Sequence, residues 1–270
     1  MPSDLSAEVI SNRRLSGDYN VLALRAPEIA EVAAPGQFVM LKAATGHDPL
    51  LPRPFSLFEI LNNGAGMPIG FSILNKRIGV STGLLYDAAV GDRIACLGPL
   101  GRPFCLVEPP SEAWMVAGGV GLAPFAMLAS ALINAGVATT LFYGARRAEE
   151  LFYVDWFLDL GVDVVIATED GSRGEQGRVI APLERQLADR SPDAPVTLYG
   201  CGPEGMLSAT ARVAATFARP CQVSVERVMG CGLGGCYSCV VPMRDGRGGW
   251  HHVRSCLSGP VLDADQIVWD

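Results

Sequence analysis

The sequence predicts a multidomain α+β protein with an antiparallel β-barrel, an α/β parallel-sheet domain and a small C-terminal domain rich in cysteine. Three observations predict this division. Up to about residue 105, short apolar runs such as Phe38-Val39-Met40-Leu41 are separated by Gly, Pro and Asn. From 113 to about 222, strand-like runs alternate with helix-like stretches, as in βαβ crossovers. Four of the eight cysteines then fall between Cys231 and Cys256.

Length, composition and charge agree with this class and exclude others. The chain has 270 residues, of which 49% are hydrophobic and 18% charged, as in a well-packed globular protein. The 21 basic and 28 acidic residues give a formal net charge of −7, so a nucleic-acid surface is not expected. The chain starts without a signal-like segment, and Gly and Pro interrupt its longest uncharged stretch, so we expect a cytoplasmic protein without a membrane span.

The first unit, residues 1–105, contains two motifs suited to a dinucleotide with a flat ring. Arg53-Pro54-Phe55-Ser56 enters a strand, and Gly79-Val80-Ser81-Thr82 combines a glycine turn with two hydroxyls. A flavin needs a cation for its diphosphate, an apolar slot for its ring and a hydroxyl near its reactive nitrogen. Backbone amides of a glycine turn can hold a diphosphate. The two motifs together therefore favour a flavin site.

The second unit, residues 106–222, places glycine-rich segments where strands of a parallel sheet end. Gly118-Gly119-Val120-Gly121 follows a strand at Trp114, and Tyr199-Gly200-Cys201-Gly202 ends another. Thr168-Glu169-Asp170 ends a third. Open parallel sheets bind ligands at the carboxyl ends of their strands, so a nucleotide site is expected there.

The third unit, residues 223–270, carries the most specific motif. Cys231, Cys236 and Cys239 have the spacing C-x4-C-x2-C, and Cys256 follows after sixteen residues. This is the ligand spacing of plant-type [2Fe-2S] clusters. Zinc remains an alternative, although structural zinc sites usually pair their cysteines in two short knuckles. Either metal would stabilise a unit too small to hold a core alone.

Taken in order, the motifs R-P-F-S, G-V-S-T, G-P-L-G, G-G-V-G-L-A-P and C-G-P-E-G-M resemble those of the ferredoxin-NADP reductase superfamily. The appended C-G-L-G-G-C-Y-S-C-V-V narrows the resemblance to the electron-transfer subunits of NAD-linked (class 1B) dihydroorotate dehydrogenases. The resemblance covers essentially the whole chain. It implies an FAD-binding barrel, an NAD-binding domain and a C-terminal [2Fe-2S] domain.

The resemblance also implies a role for individual residues. The FAD site would consist of Arg53, Pro54, Phe55, Ser56, Asn75, Lys76, Ser81 and Thr82. The NAD site would consist of Gly119, Gly121, Glu169, Asp170, Cys201 and Gly202. The cluster would be held by Cys231, Cys236, Cys239 and Cys256. Ser56 would face the flavin and Cys201 the nicotinamide as the catalytic contacts. The chain departs from the family pattern at Ser81, where glycine is expected, and near Asn75, where an aromatic residue is common.

The implied function is electron transfer between NAD(H), FAD, the cluster and an FMN-containing catalytic subunit that oxidises dihydroorotate, in a heterotetramer. Two alternatives remain. The same subunit could serve a different oxidoreductase, or the chain could be a non-catalytic nucleotide sensor stabilised by zinc. Arg146 and Arg147 leave a preference for NADP open, while the resemblance favours NAD.

Overall fold

Two seven-stranded sheets organise the protein, one antiparallel and one mainly parallel. A computed structural model describes residues 2–43 and 48–269. No helix within these ranges is both long enough and apolar enough to cross a membrane.

The antiparallel sheet is built from the first third of the chain. Its strands are β1 (Ser3–Arg14), β2 (Tyr19–Arg25), β3 (Phe38–Lys42), β4 (Arg53–Ser56), β5 (Glu59–Asn62), β6 (Pro68–Lys76) and β7 (Arg93–Leu100). They lie in the order β4-β3-β7-β1-β2-β6-β5. Alternating side chains such as Leu22 and Leu24 of β2 are fully buried in the core of this unit. The short helices α1 (Pro27–Ala30) and α2 (Val80–Asp87) complete it.

Helix α2 is an element that the sequence analysis did not anticipate. The predicted phosphate-binding turn Gly79-Val80-Ser81-Thr82 forms its N-cap and first turn. The hydroxyl of Thr82 accepts hydrogen bonds from the amides of Ile78 and Gly79, at 2.9 and 3.0 Å. This cap fixes where the helix begins.

The parallel sheet follows, with helices in its crossovers. Its strands are β8 (Glu112–Gly118), β9 (Thr139–Ala145), β10 (Asp163–Thr168), β11 (Glu175–Gln176), β12 (Val196–Cys201) and β13 (Cys221–Ser224). The helices are α3 (Ala123–Asn134), α4 (Val154–Asp159), α5 (Ile180–Ala188) and α6 (Glu204–Thr216). The order β11-β10-β9-β8-β12-β13 is that of an open parallel sheet. The alternation predicted for this part of the chain is confirmed.

The C-terminal segment packs against both preceding units. It contains β14 (Val240–Arg244), β15 (Trp250–Arg254), α7 (Ser255–Ser258) and β16 (Val261–Asp263). Strands β14 and β15 form a hairpin, and β16 joins the parallel sheet as an antiparallel edge strand beside β13. The side chains of Met229, Cys239 and Cys256 share a buried cluster with Phe38, Met40 and Leu100 of the antiparallel sheet. The segment thus gains a core from its neighbours, and the expected boundary between residues 222 and 223 falls inside β13.

Candidate functional site

A large cavity lies at the carboxyl ends of the parallel strands. It has a volume of about 590 Å³, and the segments that follow β8, β9, β10 and β12 line it. Two of these segments touch through glycine. A Cβ on Gly121 would lie 2.2 Å from the carbonyl oxygen of Cys201, and one on Gly118 would lie 2.8 Å from the side chains of Pro203 and Met206. The backbones can therefore approach this closely only without side chains, which leaves room for a nucleotide.

Three of the six residues predicted for NAD line this cavity, namely Gly119, Glu169 and Gly202. Gly121 and Cys201 are not lining residues, but their backbones contact each other between lining residues of the same two segments. Cys201 is completely buried at the end of β12, and its burial raises the pKa of the thiol.

Asp170 supports the rim of the same cavity. Its carboxylate accepts hydrogen bonds from the amide and hydroxyl of Ser172, at 2.9 and 2.6 Å, and these lower the pKa of Asp170. The Ser172 hydroxyl in turn accepts a hydrogen bond from the amide of Ala148 at 2.7 Å. Asp170 therefore links the loops that follow β9 and β10, while Glu169 is one of the residues that line the cavity.

Side chains from the antiparallel sheet also enter this cavity, which the sequence analysis missed. Tyr19 and Lys76 line it. The ammonium of Lys76 lies 4.9 Å from the ring centroid of Tyr19, and that ring lies 4.8 Å from the ring of Phe152 in the second unit. Lys76, which the resemblance placed at FAD, thus faces the nucleotide cavity. Only the packing of the two sheets brings it there, so no local sequence signal could have found it.

Arg146, Arg178 and Glu226 are further charged residues in the lining of this cavity. Arg146 was singled out from the sequence because it follows a strand, whereas Arg178 and Glu226 carried no motif. Residues of both charges therefore line the cavity, two arginines and the two glutamates Glu169 and Glu226.

The residues predicted for FAD lie on strand β4, at the end of strand β6 and in the first turn of helix α2. Strand β4, which is Arg53–Ser56, pairs with β3, and Ser56 lies opposite Phe38. Arg53 is exposed, and its guanidinium is held by the carbonyl oxygens of Leu51 and Pro52 at 2.9 and 3.1 Å. Phe55 is partly buried against the core of this unit.

Apolar side chains flank both FAD motifs and are exposed. Leu50 and Leu51 precede Arg53, and Ile78 and Val80 flank Gly79, with Ile78 78% exposed. The first-turn amides of α2 have no acceptor within their own helix. An apolar surface beside free amide donors suits a flavin ring and its diphosphate, so the residues present fit FAD.

Asn75 does not present its side chain to a ring. It is fully buried, and its amide donates to Asn20 at 2.8 Å and to the carbonyl of Thr82 at 3.0 Å. Where the family pattern has an aromatic residue, this chain therefore has an amide that hydrogen bonds to helix α2.

The four cysteines of the C-terminal motif come together in two pairs. The sulfurs of Cys239 and Cys256 are 3.3 Å apart, which is well beyond a disulfide bond. The Cys231 side chain lies close enough to Cys236 to contribute to lowering the pKa of that thiol. Hydrogen bonds from Ser238 and then from Cys231 lower the pKa of Cys236 to about 6, whereas burial and the neighbouring Cys239 raise the pKa of Cys256 to about 12.

This pairing fits a two-iron cluster better than zinc. Zinc needs four ligands around one point, whereas each iron of a [2Fe-2S] cluster takes two cysteines. Ser255, beside Cys256, also has a buried hydroxyl without a partner in the described part of the chain. Such a hydroxyl is expected beside a group that the chain does not itself supply.

His251 and His252 stay outside this arrangement. Both are exposed on β15, where they pair with Met243 and Pro242 of β14. The sequence-predicted cluster residues are therefore the four cysteines alone, without either histidine.

Three features occur together in this chain: an antiparallel sheet with flavin motifs, a parallel sheet with a nucleotide-sized cavity, and four paired cysteines. Together they define a flavin and iron-sulfur oxidoreductase of the ferredoxin-reductase class. Among solved structures, the chain is similar to an NADH-dependent reduced ferredoxin-NADP oxidoreductase, with a TM-score of 0.83 and 26% identity, covering 100% of this chain and 92% of that one. A ferredoxin reductase of carbazole 1,9a-dioxygenase matches with a TM-score of 0.66 and 27% identity, covering 81% and 66%.

Curated relatives narrow the class to one family. Residues 226–268 match the iron-sulfur cluster binding domain of dihydroorotate dehydrogenase B, and residues 115–212 match the oxidoreductase NAD-binding domain. The electron transfer subunit of dihydroorotate dehydrogenase B (NAD(+)) from Desulforamulus reducens is 34% identical over 100% of both chains. That from Geobacillus thermodenitrificans is 37% identical over 96% of both.

The chain belongs to the family of dihydroorotate dehydrogenase B (NAD(+)) electron transfer subunits. The predicted family, the electron-transfer function and the cofactors NAD, FAD and [2Fe-2S] are thereby confirmed.

Proposed function

We propose that this chain carries electrons between NAD(H) and the catalytic subunit that oxidises dihydroorotate to orotate in pyrimidine biosynthesis. The observation that carries the proposal is the pair of cysteine pairs packed against the sheet with the flavin motifs. When bound, FAD exchanges two electrons with a nicotinamide and single electrons with a [2Fe-2S] cluster. The chain's own part is to hold these groups, orient them and exclude water.

At the NAD site, Gly119 and Gly202 give the dinucleotide close backbone contact at the ends of β8 and β12. Lys76 binds its diphosphate from the opposite sheet, because an ammonium in this cavity attracts phosphate. Glu169 accepts hydrogen bonds from the adenosine ribose, which favours NAD over NADP. Gly121 and Cys201 keep the floor of the site in place, with Cys201 on the nicotinamide side.

At the FAD site, Arg53 and the first-turn amides of Val80 and Ser81 bind the diphosphate. Ser56 faces the reactive part of the ring, and Pro54 and Phe55 of β4 support it. Thr82 acts through its hydroxyl as the helix cap, which holds the turn open for the diphosphate.

At the cluster, Cys231 and Cys236 hold one iron and Cys239 and Cys256 the other. The Cys236 side chain is exposed while Cys239 is buried, so the first pair lies nearer the surface and the partner subunit. We assign residues 1–105 to an FAD-binding β-barrel, residues 106–222 to an NAD-binding domain and residues 223–270 to a cluster domain. We place the chain in a cytoplasmic heterotetramer with an FMN-containing catalytic subunit.

Purification with the partner subunit tests this proposal. We expect protein that contains flavin, iron and acid-labile sulfide, and in which dihydroorotate reduces NAD only when both subunits are present. A colourless protein with zinc and no flavin would instead support the nucleotide sensor.

A second candidate is a reductase subunit of the same architecture that serves a different oxidoreductase. The observation in its favour is the likeness of the whole chain to the NADH-dependent ferredoxin-NADP oxidoreductase structure. Transfer of electrons from NADH to ferredoxin in preference to the dihydroorotate-oxidising subunit would select it.

A further inference from the structure

Three asparagines form a hydrogen-bonded chain beneath helix α2. They lie on three adjacent strands, Asn12 on β1, Asn20 on β2 and Asn75 on β6, and Asn20 and Asn75 are directly paired across the sheet. The amide of Asn75 donates to Asn20 at 2.8 Å, and the amide of Asn20 donates to Asn12 at 2.7 Å. One continuous line of amides thus crosses the sheet.

The contacts at both ends of this chain fix its direction. The Asn75 amide faces two acceptors, the side-chain oxygen of Asn20 and the carbonyl of Thr82, so a flipped amide would place oxygen against oxygen. At the other end, the amide of Asn12 donates to the carbonyls of Tyr86 at 3.0 Å and Ala88 at 2.8 Å. Every amide in the chain therefore donates towards α2 or towards the next asparagine.

The three hydrogen-bonded asparagines hold helix α2 near both of its ends. Asn12 satisfies carbonyls that the last turn leaves without an intrahelical partner, and Asn75 contacts the carbonyl of Thr82 in the first turn. A helix of eight residues is too short to be stable on its own, so its place depends on such contacts.

The arrangement carries a cost for folding. The side-chain oxygen of Asn75 is buried and has no hydrogen-bond partner within the described residues. An unsatisfied buried oxygen destabilises a fold, and an apolar side chain would avoid it. The amide at this position is therefore better explained by what its donors hold in place than by the stability of the sheet.

We propose that Asn75, supported by Asn20 and Asn12, is a positioning residue for FAD. The amide chain holds the first turn of α2 so that its free amides face the cofactor's diphosphate. This inference rests on the FAD site proposed above. It assigns a positioning role to a residue first expected to touch the flavin itself.

The test compares Asn75→Leu with the wild-type protein, each stripped of flavin and titrated with FAD. We expect the Kd for FAD to rise about tenfold or more, because two buried hydrogen bonds that place the turn are lost. Amide hydrogen exchange of residues 80–87 should become faster, while iron and sulfide content stays unchanged.

Asn63→Ala is the matched control. Asn63 lies in the hairpin between β5 and β6 of the same sheet, and its side-chain oxygen accepts hydrogen bonds from the amides of Ala65 and Met67 in its own turn. The control should lose stability without a change in FAD affinity. An equal rise in Kd for both variants, or a wild-type Kd for a folded Asn75→Leu, would overturn the inference.

Two further variants keep the outcome decisive. If Asn75→Leu does not fold, Asn12→Leu tests the other end of the chain and should also weaken FAD binding; an unchanged Kd there would refute the inference. Arg53→Ala tests the site independently of the amides. If it weakens FAD binding while the asparagine variants do not, the positioning role fails and the FAD site stands. If Arg53→Ala has no effect, the proposed site is wrong, and the inference with it.

Discussion

Replacing Gly121 by alanine should strongly impair the reaction with NADH, although it adds only one methyl group. The added Cβ would lie 2.2 Å from the carbonyl oxygen of Cys201 and 2.7 Å from the Cα of Gly202. Both are backbone atoms, so no side chain can rotate away. The two segments would have to separate by about 1 Å to restore ordinary contact.

The expected magnitude follows from that displacement. Overpacking of this kind destabilises a fold by about 1–3 kcal/mol. The same movement displaces Gly119 and Gly202, which line the cavity, and a misplacement of about 1 Å can lower a rate about 100-fold. We therefore expect kcat/KM for NADH to fall about 100-fold while FAD and iron contents stay normal.

The assay is stopped-flow reduction of the bound flavin by NADH, with thermal unfolding measured on the same samples. Gly83→Ala is the matched control, because it makes the same chemical change in α2 with no atom within 4 Å of the new Cβ. It should leave the rate with NADH unchanged. A Gly121→Ala protein that reacts with NADH at the wild-type rate would refute the packing argument.

Three other outcomes are expected. Cys236→Ser should abolish the iron signal in paramagnetic resonance and the acid-labile sulfide, while NADH still reduces the flavin. Lys76→Ala should raise KM for NADH about tenfold with FAD content unchanged, because a charge-assisted hydrogen bond is lost; loss of FAD instead would place Lys76 at the flavin. Burial raises the pKa of the Glu59 carboxyl despite its hydrogen bonds from Ser72 and Tyr153. Because the folded state then holds this proton more tightly than the unfolded state, the wild-type protein should lose stability as pH rises through that pKa. Glu59→Gln should lack this loss, which denaturant unfolding from about pH 4 to about pH 8 would show; parallel curves would contradict it.

The parts of the site that sequence could predict are those that a local pattern specifies. The spacing of the cysteines fixes which sulfurs can meet, because Cys231, Cys236 and Cys239 share one short loop. Likewise, Gly119 and Gly202 end strands of a parallel sheet, so their place at the cavity follows from topology.

Helix α2 was missed because its sequence favours another structure. Val80 and Thr82 are β-branched and Gly83 is flexible, so the intrinsic helix propensity of the segment is low. The helix forms because Thr82 caps its start and Asn12 satisfies its last carbonyls. The second of these contacts lies more than seventy residues away in sequence, where no local pattern can reveal it.

The position of Lys76 on strand β6 also could not be predicted from a local sequence pattern. Consecutive residues of a strand point to opposite faces, so Asn75 and Lys76 cannot both serve one site from β6. The structure resolves the choice by burying Asn75 beneath α2 and directing Lys76 to the nucleotide cavity. One strand thereby contributes residues to both of the nucleotide sites that we propose.

Strand β3 connects the flavin motif and the cysteine loop. It pairs with β4, which is Arg53–Ser56, and its Met40 packs against the loop between the first two cysteines. A Cβ on Gly232 would lie 2.6 Å from the Met40 side chain, so the loop touches the strand at this glycine, whose φ of +71° also suits it for the turn. Because the same strand contacts both parts, a shift of the loop is opposed by the core of the flavin unit. The position of the cysteine loop relative to the strand with the flavin motif is therefore set by direct packing, and the small C-terminal segment gains part of its core from this strand.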